Sequence, residues 1–298
     1  MTNQLTTVYI NGEHVPVESA SISVFDSGFN FGDGVFEGMR VYNGRALMLD
    51  EHIERLYNSA AAAFIEPPMS QEEMKRDILA WLRANEIDHD FHFRPIITRG
   101  LRHPPRVDPR FAAGPATVVF LGQAISSTPT TGIHLVVSRY RRHGPDSVDS
   151  KIKSLSYLHA VLAKLDAVRR GADDAIVLDN RGCLAECSAS NIFLVKRGEL
   201  FTPFAISTLD GITRNLLMQL AGELGIPVRE KDLTTSDVHA ADEVFLSGSG
   251  AELTPVVTFE TQQVGEGVMG PVTTRLRDAY LGALDAHGTP IFDEPASA

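Results

Sequence analysis

The chain has 298 residues, 43% of them hydrophobic and 22% charged, and a net charge of −11 from 27 basic and 38 acidic side chains. That length supports a large core in one domain or two, and the composition is that of an ordinary globular enzyme. The acidic balance argues against nucleic acid or an anionic membrane as partner. No apolar run approaches the roughly 18 residues of a membrane span. The opening MTNQLTTVYINGEH lacks the basic-then-apolar order of a signal peptide, so a cytoplasmic protein is expected.

In chain order, residues 7–10 and 14–17 flank Asn11-Gly12 and read as a hairpin. A glycine-rich stretch with Gly28, Gly32 and Gly34 follows, suited either to tight turns or to backbone lying close to a ligand. A strand over 35–42 leads to a turn at Asn43-Gly44. Asp50 is placed as N-cap of a helix over 51–64, with Ile53, Leu56 and Tyr57 on one face. His52 and Arg55 lie one turn apart on that helix, on a face either solvated or turned toward a site. Pro67-Pro68 breaks the chain, and Ser70-Gln71-Glu72-Glu73 opens a helix to about residue 85 with the makings of a capping box. FHFRPIITRG, from Phe91, alternates as a strand. The basic, proline-rich loop from Leu101 fits no element, and VVFLGQ returns as a strand. Residues 1–122 thus read as a small α+β domain, the polar run AISSTPTT marks a linker over 123–131, and 132–298 form a larger α/β domain.

After a strand over 133–139 comes the run from Lys153 to Asn191, KSLSYLHAVLAKLDAVRRGADDAIVLDNRGCLAECSASN. Leu158, Val161, Leu162, Leu165 and Val168 have the spacing of one face of a helix over 156–170, closed by Gly171 behind Arg169 and Arg170. Residues 175–178 are a strand, Asp179-Asn180-Arg181-Gly182 a turn, and the returning strand carries Glu186. Cys183 and Cys187 flank that strand; four residues apart on extended chain they stand ~13 Å apart, beyond disulfide reach. No metal site accompanies them. A hairpin turns at Arg197-Gly198. Asp210-Gly211-Ile212-Thr213 leads into a helix over 214–224, a well-capped start whose amides also suit a phosphate. A strand at 244–246 runs into Ser247-Gly248-Ser249-Gly250-Ala251, small residues able to turn several amides onto one anion. Residues 273–286 form a closing helix and 287–298 a frayed tail. Lys151 and Lys153 share one side of an extended segment, so periodicity does not choose between them; Lys164 lies on the helix. A lysine and a carboxylate bracketing so compact a unit suit pyridoxal phosphate chemistry, which needs an amine for the Schiff base and an acid for the pyridinium nitrogen.

KSLSYL, LAECSASNIF, LDGITRNLL and FLSGSGAELTP, in that order, resemble the pyridoxal-phosphate enzymes of aminotransferase class IV, or fold type IV. SVFDSGFNFGDGVFEGMRVYNGR and LDEHIERL extend the resemblance upstream and VGEGVMGPVTTRL downstream, from about Tyr9 to Leu284. It implies a two-domain α+β fold like that of D-amino-acid aminotransferase, with pyridoxal 5'-phosphate in the interdomain cleft. It implies further that Lys153 is the Schiff-base lysine, that Glu186 pairs with the ring nitrogen, and that Tyr157 bonds the phenolic oxygen. Arg55, Ile212, Thr213 and Ser249 fall at the phosphate positions. Phe31, Phe36, His92, Arg94, Gly250 and Ala251 fall on the substrate side, and the glycine-rich loop lines the active site.

FGDGVFEGMR is nearest to the branched-chain aminotransferases, whose FEGIR segment is almost the same. Phe31 and His92 stand where that pattern has tyrosines that help hold substrate. Arg94 is retained, and Arg99 in ITRG sits where D-amino-acid transaminases place an arginine on the α-carboxylate. The expected activity is transamination between a branched-chain or otherwise hydrophobic amino acid and a 2-oxo acid such as 2-oxoglutarate. A D-amino-acid or (R)-amine transaminase is the alternative, with aminodeoxychorismate lyase third. The family also implies a homodimer.

Overall fold

The structure is a computed structural model that describes residues 4–125 and 130–292. Its contacts group the chain into two compact units: described residues 4–125, 152–156 and 284–292 in the first, 130–151 and 157–283 in the second. The expected linker lies partly outside the described residues, at 126–129. The first unit also takes in two segments from beyond it.

In the first unit β1 (Thr7–Ile10) and β2 (Glu13–Pro16) form the expected hairpin. The glycine-rich stretch contains a short helix, α1 (Ser27–Phe31), whose N-cap Asp26 accepts from the Gly28 amide at 2.8 Å. The single strand expected over 35–42 is two, β3 (Gly34–Phe36) and β4 (Met39–Tyr42), interrupted at Glu37-Gly38. Asn43-Gly44 turns β4 into β5 (Arg45–Leu47). Helix α2 (Leu49–Ala62) starts earlier than expected, with Met48 at φ 49° as N-cap. Asp50 therefore sits in the first turn, where its charge suits the helix dipole without capping it. Ser70 caps α3 (Gln71–Ala84) in a complete capping box with Glu73. Strands β6 (Phe91–Thr98) and β7 (Thr117–Ala124) pair antiparallel over their full length. Phe91, Phe93 and Ile97 of β6 and Val118 and Phe120 of β7 meet Trp81 and Ile78 of α3 and Ile53 and Leu56 of α2 in one core. Burial of each such side chain stabilises the unit by about 1.5–3 kcal/mol.

The second unit begins with β8 (Ile133–Arg141), α4 (Leu158–Arg169), β9 (Asp174–Leu178) and β10 (Leu184–Cys187). Next come β11 (Asn191–Lys196), β12 (Glu199–Thr202), α5 (Ile212–Glu223), β13 (Val228–Glu230) and α6 (Thr235–His239). Then β14 (Glu243–Gly248), β15 (Glu252–Phe259), β16 (Gln262–Gln263) and α7 (Pro271–Ala283) complete it. The sheet order is β10–β9–β8–β15–β14–β11–β12–β13, with β16 beside β15. Strand alternation divides its side chains between two faces. Leu135, Ile176, Ile192, Leu194, Leu246 and Val256 share one core with Leu233 and Val238, while Val136 and Ala175 on the other face meet Ala167 of α4.

Helix α4 corrects an expectation. Its buried residues are Ala160, Ala163, Asp166 and Ala167. The large apolar residues chosen by periodicity face outward: Leu158, Val161, Leu165 and Val168 are 69, 59, 40 and 59% exposed. Alanine lets the helix backbone approach the sheet closely, so the small-residue face packs inward and the bulky one does not. Both cysteines are free, Cys187 buried and Cys183 half-buried.

The chain then re-enters the first unit. β17 (Gly288–Pro290) pairs antiparallel with β5, giving the order β17–β5–β4–β6–β7–β1–β2, with β3 also on β6. Part of the stretch expected to fray is therefore an edge strand, and 293–298 lie outside the described residues.

Candidate active site

The candidate residues fall into two sets, one in each unit. In the first, residues 152–156 run against β3: the Phe36 amide donates to Lys153 O at 3.0 Å and the Leu155 amide to Gly34 O at 2.9 Å. Ser59 Oγ of α2 accepts from the Lys153 amide at 3.2 Å. Glycine at 34 permits this approach, since a Cβ there would lie 2.7 Å from Leu155 Cδ1 and 2.8 Å from Ile97 O. Lys153 is thus held between a strand and a helix. Lys151 is exposed in a turn, so no extended segment relates the two and strand parity does not apply. Lys164 donates to Asp173 O on the surface of α4.

The Phe36 ring organises this set. Lys153 Nζ lies 4.8 Å and Arg94 Cζ 4.5 Å from its centroid, distances at which a cation is attracted to an aromatic face. His92, opposite Arg40 in the β4–β6 register, lies within 3.0 Å of where a Cβ on Gly38 would stand. Burial lowers its pKa to about 4, helped by the nearby charges of Arg94, Arg40 and Lys153, so the imidazole is neutral at physiological pH. The structure therefore brings Phe36, Arg94 and Lys153 together, with His92 beside Arg94's charge.

Two other expected residues are placed differently. Arg99 forks onto Asp33 at 2.8 and 3.0 Å and donates to the carbonyls of Ala63 and Phe64. Arg102, buried, joins the same Asp33 and lies with its Cζ 5.0 Å from the Phe31 centroid. Arg99 is thus ion-paired with Asp33, and the Phe31 ring packs against the Arg102 guanidinium.

Arg55 introduces a residue that the sequence reading omitted. Its Nε donates to Glu37 Oε1 at 2.7 Å and its Nη2 to Oε2 at 2.8 Å, while His52 Nδ1 meets Oε2 at 2.7 Å. Burial pushes the Glu37 carboxyl up, but Arg55 and His52 overcome it and hold the group well below the usual carboxylate range. Burial in turn lowers His52, which keeps it neutral with its proton on Nδ1, facing the carboxylate. The available signal was positional: Glu37 follows Phe36 in the strand expected over 35–42, whose alternation puts neighbouring side chains on opposite sides.

In the second unit Glu186 sits where β10 shifts register against β9 and is 8% exposed. Its Oε2 accepts from Thr208 Oγ1 at 2.8 Å and from the Leu209 amide at 3.0 Å. Arg142 Nε lies 2.7 Å from Oε1, off the line of a good hydrogen bond. Asn191 fixes the donors by bonding Thr208 Oγ1 and Leu209 O. Gly211, the N-cap of α5, is packed so tightly that a Cβ would meet Asn191 Oδ1 at 2.0 Å, and no side chain caps that helix. Ile212 and Thr213 open its first turn, both buried. Tyr157 precedes α4, its ring 5.7 Å from that of His159, which also contacts Arg142. Ser249, Gly250 and Ala251 form the turn between β14 and β15. Among the described residues, no cluster of three or more His, Cys, Asp or Glu is placed to hold a metal ion.

Comparison with known proteins identifies the family. Residues 34–259 match the sequence model of amino-transferase class IV. The branched-chain-amino-acid aminotransferase of Escherichia coli (strain K12) is 35% identical over 294 residues, 94% of each chain. The crystal structure of the branched-chain aminotransferase from Thermoproteus uzoniensis with norvaline superposes at a TM-score of 0.89, with 30% identity over 96% of this chain and 99% of that one. The branched-chain amino acid aminotransferase from Thermobaculum terrenum in its PLP-form gives 0.87, with 25% identity over 98% of this chain and 100% of that one. A class IV match spanning about three-quarters of the chain, with relatives of one kind along nearly all of it, leaves one assignment: this chain belongs to the amino-transferase class IV family.

Proposed function

We propose that the protein is a pyridoxal-phosphate-dependent transaminase that moves an amino group between a branched-chain or other hydrophobic amino acid and a 2-oxo acid such as 2-oxoglutarate. The observation that carries the reading is the Phe36 ring with Lys153 Nζ and Arg94 Cζ both beside it. An amine, a carboxylate-binding cation and an apolar surface are what an α-amino acid with a hydrophobic side chain requires. The donor set fits the cofactor as well. A buried carboxylate with oriented donors suits a protonated ring nitrogen, and the uncapped N-terminus of α5 suits a phosphate.

In this reading Lys153 Nζ attaches the cofactor and then moves the proton of the substrate's α-carbon. Glu186 holds the ring-nitrogen proton, Tyr157 donates to the phenolic oxygen, and Arg55, Ile212, Thr213 and Ser249 bind the phosphate. Arg94 orients the substrate carboxylate, with neutral His92, Gly250 and Ala251 beside the substrate. The bound cofactor supplies an electron sink for the substrate carbon. The D-amino-acid or (R)-amine alternative rests on the departures at Phe31 and His92; Arg99, which would add to it, has its fork on Asp33. The test is Lys153→Ala against Lys151→Ala. Borohydride trapping and peptide mapping should place the phosphopyridoxyl group on Lys153, and only Lys153→Ala should abolish turnover; label on Lys151 would sink the assignment.

We infer also a homodimer, supported by the exposed apolar stripe of α4. Val161→Glu should then yield monomers in sedimentation, and an unchanged sedimentation coefficient would place the interface elsewhere. A cytoplasmic location completes the reading. No described helix is long and apolar enough to cross a membrane.

A further inference from the structure

Glu37 is fully buried at the break between β3 and β4. Its amide donates to Pro95 O at 3.0 Å, which fixes the backbone, and its carboxylate is turned onto α2. Arg55 grips both oxygens through Nε and Nη2 at 2.7 and 2.8 Å. A guanidinium is planar, so this side-on fork sets the direction of its other edge, which bears Nη1 and points away from Glu37. Arginine has many rotamers of similar energy, and a two-point grip on a rigid acid selects one. His52, one helical turn before Arg55, meets Oε2 at 2.7 Å and holds the acid from the side.

We propose that Glu37 is the positioning residue that aims Arg55 at the cofactor phosphate, with His52 securing Glu37 in turn. The inference rests on the reading of Arg55 as a phosphate anchor. An opposing effect exists: the Glu37 charge offsets that of Arg55, so its removal would strengthen the Coulomb attraction between Arg55 and a phosphate. Orientation and charge predict opposite signs, which makes the outcome decisive.

The experiment is equilibrium titration of the cofactor-free full chain with pyridoxal phosphate and with pyridoxal, which keeps the ring and the aldehyde but lacks the phosphate. Arg55→Ala should weaken pyridoxal phosphate by about tenfold or more and leave pyridoxal within about twofold. Glu37→Gln should reproduce that selective loss, and should add nothing selective in the Arg55→Ala background. Wild-type or tighter binding of pyridoxal phosphate by Glu37→Gln overturns the proposal, as does an equal loss for both ligands, which marks a merely structural role. If Arg55→Ala itself leaves the ratio of the two ligands unchanged, the reading of Arg55 fails and the inference with it. If Arg55→Ala shifts the ratio and Glu37→Gln does not, only the positioning role fails. Should Glu37→Gln not fold, Glu37→Asp keeps the charge and withdraws the fork by one methylene. A selective loss there supports the proposal and an unchanged ratio overturns it.

Discussion

Two buried glutamates, one in each unit, stand at irregular points of short strands and have different partners. Glu37 is met on both oxygens by the cationic fork of Arg55 and by His52. Glu186 is pinned on one oxygen by neutral donors, the Thr208 hydroxyl and the Leu209 amide, and its other oxygen has the single off-line approach of Arg142. An acid enclosed by a cation's fork offsets and orients that cation. An acid that takes its hydrogen bonds from neutral donors and pairs with one cation at a single point has that charge only partly offset. Burial is alike in the two cases, so the donors, not the exposure, separate a positioning acid from one suited to a ring nitrogen.

The comparison breaks most visibly at Glu186→Gln. The amide keeps the shape and can still accept from Thr208 and Leu209, but it carries no charge to hold a ring proton. The half-reaction with leucine should slow by about 100- to 10,000-fold, the span typical of proton-transfer groups, while cofactor stays bound. Stopped-flow absorbance measures it, and a rate within a few-fold of wild type removes Glu186 from the role.

A smaller effect separates Arg94, which lies over the Phe36 ring, from Arg99, which forks onto Asp33. Arg94→Ala should raise KM for amino and 2-oxo acids by about 10- to 100-fold, the worth of one charge-assisted contact, with much less effect on 1-phenylethylamine. Arg99→Ala should instead lower stability by about 1–3 kcal/mol, because Asp33 loses its bidentate partner. Denaturant titration alongside half-reactions reads both. An Arg99→Ala variant that discriminates acids from amines as Arg94→Ala does would return it to the substrate site.

The mildest expectation concerns acid. His92 is lowered from 6.5 to about 4, and His52 is lowered from the same ordinary value. Between those pH values the unfolded chain binds more protons than the folded one. Their contribution is therefore complete above pH 6.5 and is lost as pH falls below it, for His92 down to about 4, at up to about 1.4 kcal/mol per pH unit for each group. Glu37, held low, adds its own loss below 4.5. The lowered carboxyls of the second unit, Asp166, Asp237 and Asp242, start from 3.8 and stay ionised in both states over most of that window. Hydrogen exchange at pH 7 and pH 5 should show first-unit amides losing protection first; equal loss in both units would contradict the assignment of these histidines.

Local chemistry determined much of the chain in advance. The Asn11-Gly12 hairpin, the Ser70–Glu73 capping box and the strand order around Asp179–Gly182 follow from turn and cap preferences that act over a few residues. The motif order from KSLSYL to FLSGSGAELTP was likewise enough to place the family. Tertiary structure decided what depends on partners distant in sequence. Ile53 and Leu56 of α2 bury the face that periodicity chose, because α3 and β6 supply large side chains to meet them. Helix α4 turns its alanines inward instead, because the sheet beneath offers Val136 and Ala175 and little room. The placement of Lys153 against β3 and α2 rests on Gly34 and Ser59, and the grip of Glu37 on Arg55 spans a turn, a hairpin and half a helix. Periodicity states which side of an element is apolar. Which side is buried, and which charge meets which, depends on the neighbour that the fold brings there.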